Sequence, residues 1–130
     1  MSGRVAVTAG LLAAIAMVSM AATIPKPAKN AKLLRTKVEL AAKVYALTKA
    51  RFDSGLASSE SVALWSRRWF DAERETDRGP APARALLDRA LDLERNAKRM
   101  AAGGLAHADA ALAAAYFRAD AELEAARASK

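Results

Sequence analysis

The chain contains one interrupted helical pattern twice, and this duplication limits what it can fold into. The segment KARFDSGLASSESVALWSRRWFDAERE, residues 49–75, carries Gly-Leu-Ala in the middle of an amphipathic stretch. A second Gly-Leu-Ala follows at an offset of 49 residues, from Gly55 to Gly104, and Asp-Ala-Glu repeats at the same offset. Glycine takes the left-handed conformation that ends a helix more readily than any other residue. The repeat therefore predicts two helical hairpins, each with a Gly-Leu-Ala tip.

Four helices are predicted around these tips, over residues 31–52, 58–75, 83–102 and 107–128, because apolar residues recur there at steps of three or four. The expected fold is all-α, with two antiparallel, coiled-coil-like hairpins. The Pro-rich joint allows them to fold into one four-helix bundle or to lie end to end. The stripes expected to be buried are Leu34, Val38, Ala41, Tyr45 and Thr48; Val62, Trp65, Trp69 and Ala72; Leu86, Ala90, Leu93, Ala97 and Met100; and Ala108, Leu112, Ala115, Ala119 and Ala126, with Tyr116 and Leu123 alongside.

The N-terminal residues have the pattern of an export signal. One Arg precedes an apolar run in MSGRVAVTAGLLAAIAMVSMAA, and Ser19 and Ala21 put small side chains where signal peptidase cleaves. Residues 1–21 are therefore predicted to be a cleaved signal, which implies a periplasmic or secreted chain. The alternative is a membrane anchor through residues 5–22, which the lysines after the run favour by the positive-inside rule. The predicted order continues with a basic linker (22–30), hairpin 1 (31–76), a Pro/Gly linker (77–83) and hairpin 2 (84–130).

The excess positive charge is confined to one part of the chain. Residues 22–52 contain eight basic residues and one acidic residue, Glu39. Residues 53–130 contain twelve basic and thirteen acidic residues, so their charges nearly cancel. Such a segment can contact anionic lipid or an acidic partner, or it can simply solvate a helix face. No nucleic-acid partner is expected, because no reading motif or stacking aromatics accompany the charge.

The inventory of reactive groups argues against an enzyme. The chain has no cysteine and one histidine, and it shows no phosphate loop, nucleophile elbow or metal-ligand spacing. We therefore expect no catalytic, cofactor-binding or metal-binding residues. His107 is interpreted as a solvated helix-start residue, with a pH-sensitive tip contact as the alternative.

One aromatic and basic group could serve as a binding patch. Trp65 and Trp69 are one turn apart and flank Arg67 and Arg68, which gives an aromatic surface with an arginine rim. The alternative interpretation is that both tryptophans pack on the first helix, because a core this poor in large side chains needs its aromatics.

At the hairpin tips the sequence resembles the TolC-type outer-membrane efflux proteins. Their repeated pattern, RY-x-x-G-L-x-S-x-x-D-V-L-x-A-x-x-x-L-x-x-A-E, is matched by Arg51-Phe52, Gly55-Leu56, Ser58, Val62, Phe70 and Ala72-Glu73, and more loosely by Gly104-Leu105, Ala111, Ala119 and Ala121-Glu122. Ser61 replaces the family's Asp, and WSRRW replaces its L-x-A-x-R stretch. No segment alternates as a membrane strand does. The resemblance therefore concerns the periplasmic hairpin and not a complete channel.

The resemblance implies an exported interaction module in transport or efflux, with tips that dock on a helical partner of the periplasmic adaptor type. The alternatives are a membrane-anchored stalk and an orphan secreted coiled-coil protein with no transport role. Self-association is a further expectation, because short Ala-rich hairpins leave apolar seams uncovered. The tip residues expected to bind the partner are Gly55, Leu56, Ala57, Ser58, Gly104, Leu105 and Ala106.

Overall fold

The computed structural model describes residues 25–130, which form helices and turns without a strand. The four helices are α1 (Pro25–Asp53), α2 (Ser59–Arg74), α3 (Ala81–Ala102) and α4 (Ala108–Ala128). This confirms the predicted all-α fold with four helices. The predicted signal or anchor, residues 1–21, lies outside the described residues.

The chain divides into two compact units, residues 1–35 and 36–130. In the first unit the described residues, 25–35, are a single helical segment. This segment begins at Pro25 and not near residue 31, so the later part of the predicted basic linker is helical. Pro25 and Pro27 both fall in the first turn, where backbone N–H groups have no partner within the helix and proline is tolerated.

In the second unit the two hairpins fold back on each other into one bundle. α3 and α4 approach most closely, and α2 packs against both of them. α1 reaches α2 through Tyr45, whose ring centroid lies 5.5 Å from that of Trp69, and it reaches α3 through Lys49, whose Nζ lies 3.5 Å from Asp92 Oδ2. Of the two arrangements that the Pro-rich joint allows, a bundle and an end-to-end arrangement of the hairpins, the structure has the bundle.

The core combines alanines at the closest helix contact with a few larger side chains. Ala90 and Ala97 of α3 and Ala121 of α4 are fully buried in this core, and their small size lets the helix backbones approach. The predicted buried stripe of α3 is confirmed at every position. The other buried apolar residues are Ala41, Tyr45, Phe52, Val62, Phe70, Ala72, Ala83, Leu86, Leu93, Met100, Ala114 and Phe117.

The predicted buried stripe of α4 is wrong. Leu112 and Tyr116 are 71% and 78% exposed, and the helix instead buries Ala114, Phe117 and Ala121. α4 has alanine on every side, so apolar periodicity does not select a face. An ion pair selects the buried face of α4 instead, because the buried carboxylate of Glu124 accepts a hydrogen bond from Arg67 of α2.

Candidate functional site

The first hairpin tip is a helix stop built on one glycine. Gly55 has φ +77°, in the left-handed region that favours glycine. Leu56 N–H donates to the Arg51 carbonyl at 2.7 Å, and Gly55 N–H donates to the Phe52 carbonyl at 2.9 Å. This pair of bonds is the Schellman arrangement, which satisfies carbonyls that the end of α1 would otherwise leave without donors.

The second tip repeats this geometry. Gly104 has φ +74°, Leu105 N–H donates to the Met100 carbonyl at 2.7 Å, and Gly104 N–H donates to the Ala101 carbonyl at 3.1 Å. The interruption in the sequence is thus the same structural device used twice. Both helices end there because the backbone reverses on glycine.

The bundle brings the two tips together at one end. The hydroxyl of Ser59, at the start of α2, donates to the carbonyl of Ala110 in α4 at 3.1 Å, and Ser59 is only 1% exposed. A pocket of about 270 Å³ lies between the tips. It is lined by Phe52, Gly55, Ala57, Ser58, Ser59, Glu60, Met100, Leu105, Ala106, His107, Asp109 and Ala110.

The leucine that follows each glycine is directed to solvent. In a Schellman stop this position often packs back on the helix, yet Leu56 is 70% exposed and Leu105 is 72% exposed. Glu60 and Asp109, in the first turns of α2 and α4, add negative charge at the same end. The site thus presents two exposed leucine side chains, with one carboxylate in the helix turn that follows each of them. All seven predicted tip residues lie there.

The two helix starts at this end are capped differently. Ser58 caps α2, because its hydroxyl accepts from the Ser61 N–H at 3.1 Å. His107 takes the same position before α4, and its side chain makes no capping hydrogen bond. A serine cap is worth about 1 kcal/mol, so the second tip is held less firmly than the first.

The predicted aromatic and basic patch is divided between two sides of α2. The Trp69 ring packs against Tyr45 of α1 with an angle of 48° between the ring planes, and Arg68 lies over the Trp65 ring, 4.6 Å from its centroid. Arg67 is directed to α4 instead, where it donates to Asp120 at 2.9 Å and also to Glu124. The four residues therefore do not share one surface.

A polar cluster that no sequence pattern predicted lies at the junction of α1, α2 and α3. Arg89 of α3 donates to Ser66 Oγ at 2.7 Å and lies 4.2 Å from the centroid of the Trp69 ring. Its guanidinium also lies 5.5 Å from the Tyr45 ring centroid. Burial lowers the pKa of Arg89 and raises that of Tyr45. Arg89 thus joins three helices, and no local motif marks it.

Ion pairs fix the position of α4 in the bundle. Glu94 of α3 is 8% exposed and accepts from Arg118 of α4 at 2.8 Å, with Lys98 Nζ 3.4 Å away. Burial is the largest single influence and would raise the pKa of Glu94, but the hydrogen bonds and the positive charges of Arg118 and Lys98 together leave that pKa below its ordinary value. The charged form of Glu94 is therefore the form that the fold stabilises.

We compared the chain with known protein families, curated proteins and solved structures. No protein-family model matches the sequence, and neither curated proteins nor solved structures give a match. Among the described residues, no helix combines the length and the apolar character needed to cross a membrane.

Proposed function

We propose that this chain is an exported helical interaction module that docks on a helical protein through its paired hairpin tips. The observation that carries the proposal is the pairing itself, with Leu56 and Leu105 exposed on the same end of one bundle. Each leucine follows a hydrogen-bonded turn, so it offers apolar area to a partner at a small cost in backbone ordering.

The partner that fits this end has an apolar groove for the leucines and basic residues nearby. Glu60 and Asp109 place two carboxylates at the helix starts beside the pocket. Opposite charge on the partner would orient the encounter. The helical hairpin of a periplasmic adaptor protein is the candidate that the TolC-like tip motif suggests, and the efflux role rests on that motif.

A direct titration tests the proposal. A purified periplasmic adaptor of a TolC-type efflux system is titrated with the wild-type chain and with a variant carrying Leu56→Asp and Leu105→Asp. We expect the wild type to bind and the variant to bind at least tenfold more weakly, since both apolar contacts are replaced by charge. Circular dichroism should show equal helicity, because both leucines are largely exposed.

The matched control is Leu40→Asp, which changes a 56% exposed leucine in α1, away from the tips. It should bind like the wild type. An adaptor that ignores the wild-type chain, or binds the tip variant with unchanged affinity, would refute the proposed function.

A further inference from the structure

An apolar seam runs along the outer face of α4. Leu112 and Tyr116 are largely exposed, and Leu123 is 55% exposed. The contacts of α4 within the bundle use the opposite face, through Ala114, Phe117 and Ala121. Successive seam residues are spaced four, three, four and three apart, as are the a and d positions of a coiled coil. The outer seam of α4 consists of Leu112, Tyr116, Ala119, Leu123 and Ala126.

A groove between α2 and α4 widens this surface. It has a volume of about 410 Å³ and is lined largely by apolar side chains, including Leu64 of α2 and Tyr116 of α4. Leu64 is 46% exposed. Glu60 and Asp120 border the groove, so the apolar surface has a polar rim, as interaction surfaces commonly do. The outer seam therefore has the form of one half of a helix pair.

We propose that the outer seam of α4 is a self-association surface, on which the outer seam of a second copy of this chain packs in antiparallel orientation. The seam itself does not include Leu56 or Leu105, although Asp109 borders both the seam and the tips. A second copy fits because the seam is complementary to itself in size and in charge.

Large and small side chains both occupy heptad positions along the seam. Leu112, Ala119 and Ala126 take d positions, while Tyr116 and Leu123 take a positions. Antiparallel pairing of a with d sets Leu112 opposite Leu123 of the second copy and Tyr116 opposite Ala119 of the second copy. Each large tyrosine thereby meets a small alanine, which lets the two helices approach closely near the centre of the pair.

The charges at the two ends of the seam favour the antiparallel orientation. In the same alignment Asp109 lies beside Arg127 of the second copy, once at each end of the pair. Asp109 is exposed and makes no ion pair among the described residues, and the side chain of Arg127 is 66% exposed, 3.7 Å from Glu124. Parallel pairing would instead place like charges opposite each other at both positions, which is destabilising.

Sedimentation of the chain as it is isolated from cells tests the association. We expect a concentration-dependent dimer, and a Kd raised at least tenfold by Leu112→Glu combined with Leu123→Glu. Helicity should not change, because both side chains already contact water. The control is Leu47→Glu in α1, where a leucine of similar exposure, 67%, lies outside the seam; it should keep the wild-type Kd.

Cysteine crosslinking tests the orientation, since the chain has no cysteine of its own. Under mild oxidation a mixture of Leu112→Cys and Leu123→Cys chains should form disulfide dimers more readily than either variant alone. Asp109→Arg should weaken the dimer, and adding Arg127→Asp should restore it.

Four outcomes would overturn the inference. The wild-type chain could stay monomeric, the dimer could survive the Leu112 and Leu123 change, or Leu47→Glu could weaken the dimer equally. The fourth is crosslinking that is strongest for Leu112→Cys alone. The last result would show a parallel pair.

Discussion

Replacing Gly104 by alanine tests the turn geometry on which the hairpins depend. Gly104 has φ +74°, and an L-residue in the left-handed region costs roughly 1–2 kcal/mol. No atom lies within 4 Å of the Cβ that alanine would add, so backbone strain acts without a clash. Alanine also restricts the unfolded chain, which returns about 0.5 kcal/mol. The expected net loss of stability is about 1 kcal/mol.

Gly103 supplies the control one residue earlier. Its φ is −87°, which alanine adopts freely, and an added Cβ would lie 3.5 Å from the Arg99 carbonyl oxygen, an ordinary contact. Gly103→Ala should therefore stabilise the fold by about 0.5 kcal/mol, through the unfolded state. The two adjacent substitutions are thus expected to have opposite signs.

Urea and thermal unfolding followed by far-UV circular dichroism measure the difference. A change of about 1 kcal/mol shifts the Tm of a domain of this size by roughly 4 °C, downward for Gly104→Ala. Equal effects from the two variants, or a Gly104→Ala chain as stable as the wild type, would refute the left-handed turn. Gly55→Ala repeats the test at the first tip, where φ is +77°.

Two further predictions concern polar contacts in the bundle. Because the folded pKa of Glu94 lies below its ordinary value of 4.5, its contribution to stability is complete above that value and is lost as the pH falls through the folded pKa. Glu94→Gln should therefore lower stability at neutral pH and flatten the acid limb of a pH-dependent urea series; an unchanged acid limb would count against the Arg118 contact. Arg89→Leu should destabilise the fold by about 2 kcal/mol, because it removes a partly buried cation–π contact and leaves Ser66 without its donor. The control is Arg95→Ala, which should change stability by no more than about 0.5 kcal/mol because the Arg95 side chain is 69% exposed. Tryptophan fluorescence during unfolding measures both variants, and equal losses would contradict the role given to Arg89.

The sequence was most informative where side chains of different size alternate. α3 places leucine, alanine and methionine at heptad spacing among charged residues, so its buried face follows from the pattern, and all five predicted positions are buried. The tips were predictable for a similar reason, since glycine between two amphipathic runs has few uses other than a helix stop. The buried face of α3 and the glycine helix stops both depend on residues close together in the sequence, so the sequence pattern is enough to predict them.

The features that were missed depend on partners distant in the sequence. Alanine surrounds α4, so its orientation depends on Glu94, Glu124 and the arginines that reach them across helix boundaries. Arg89 becomes a junction only because Ser66 and Trp69 are brought to it by the fold. Likewise, the assembly of the tips into one site required the bundle, which the Pro-rich joint did not specify.

The hydrogen bond from Ser59 to the Ala110 carbonyl has a consequence for recognition. It fastens the start of α2 to the start of α4, so the spacing between the two turns is set before any encounter. A protein that closes on this end spends little conformational entropy in arranging the pair. We therefore expect affinity at this end to depend on how well the partner's shape matches that spacing.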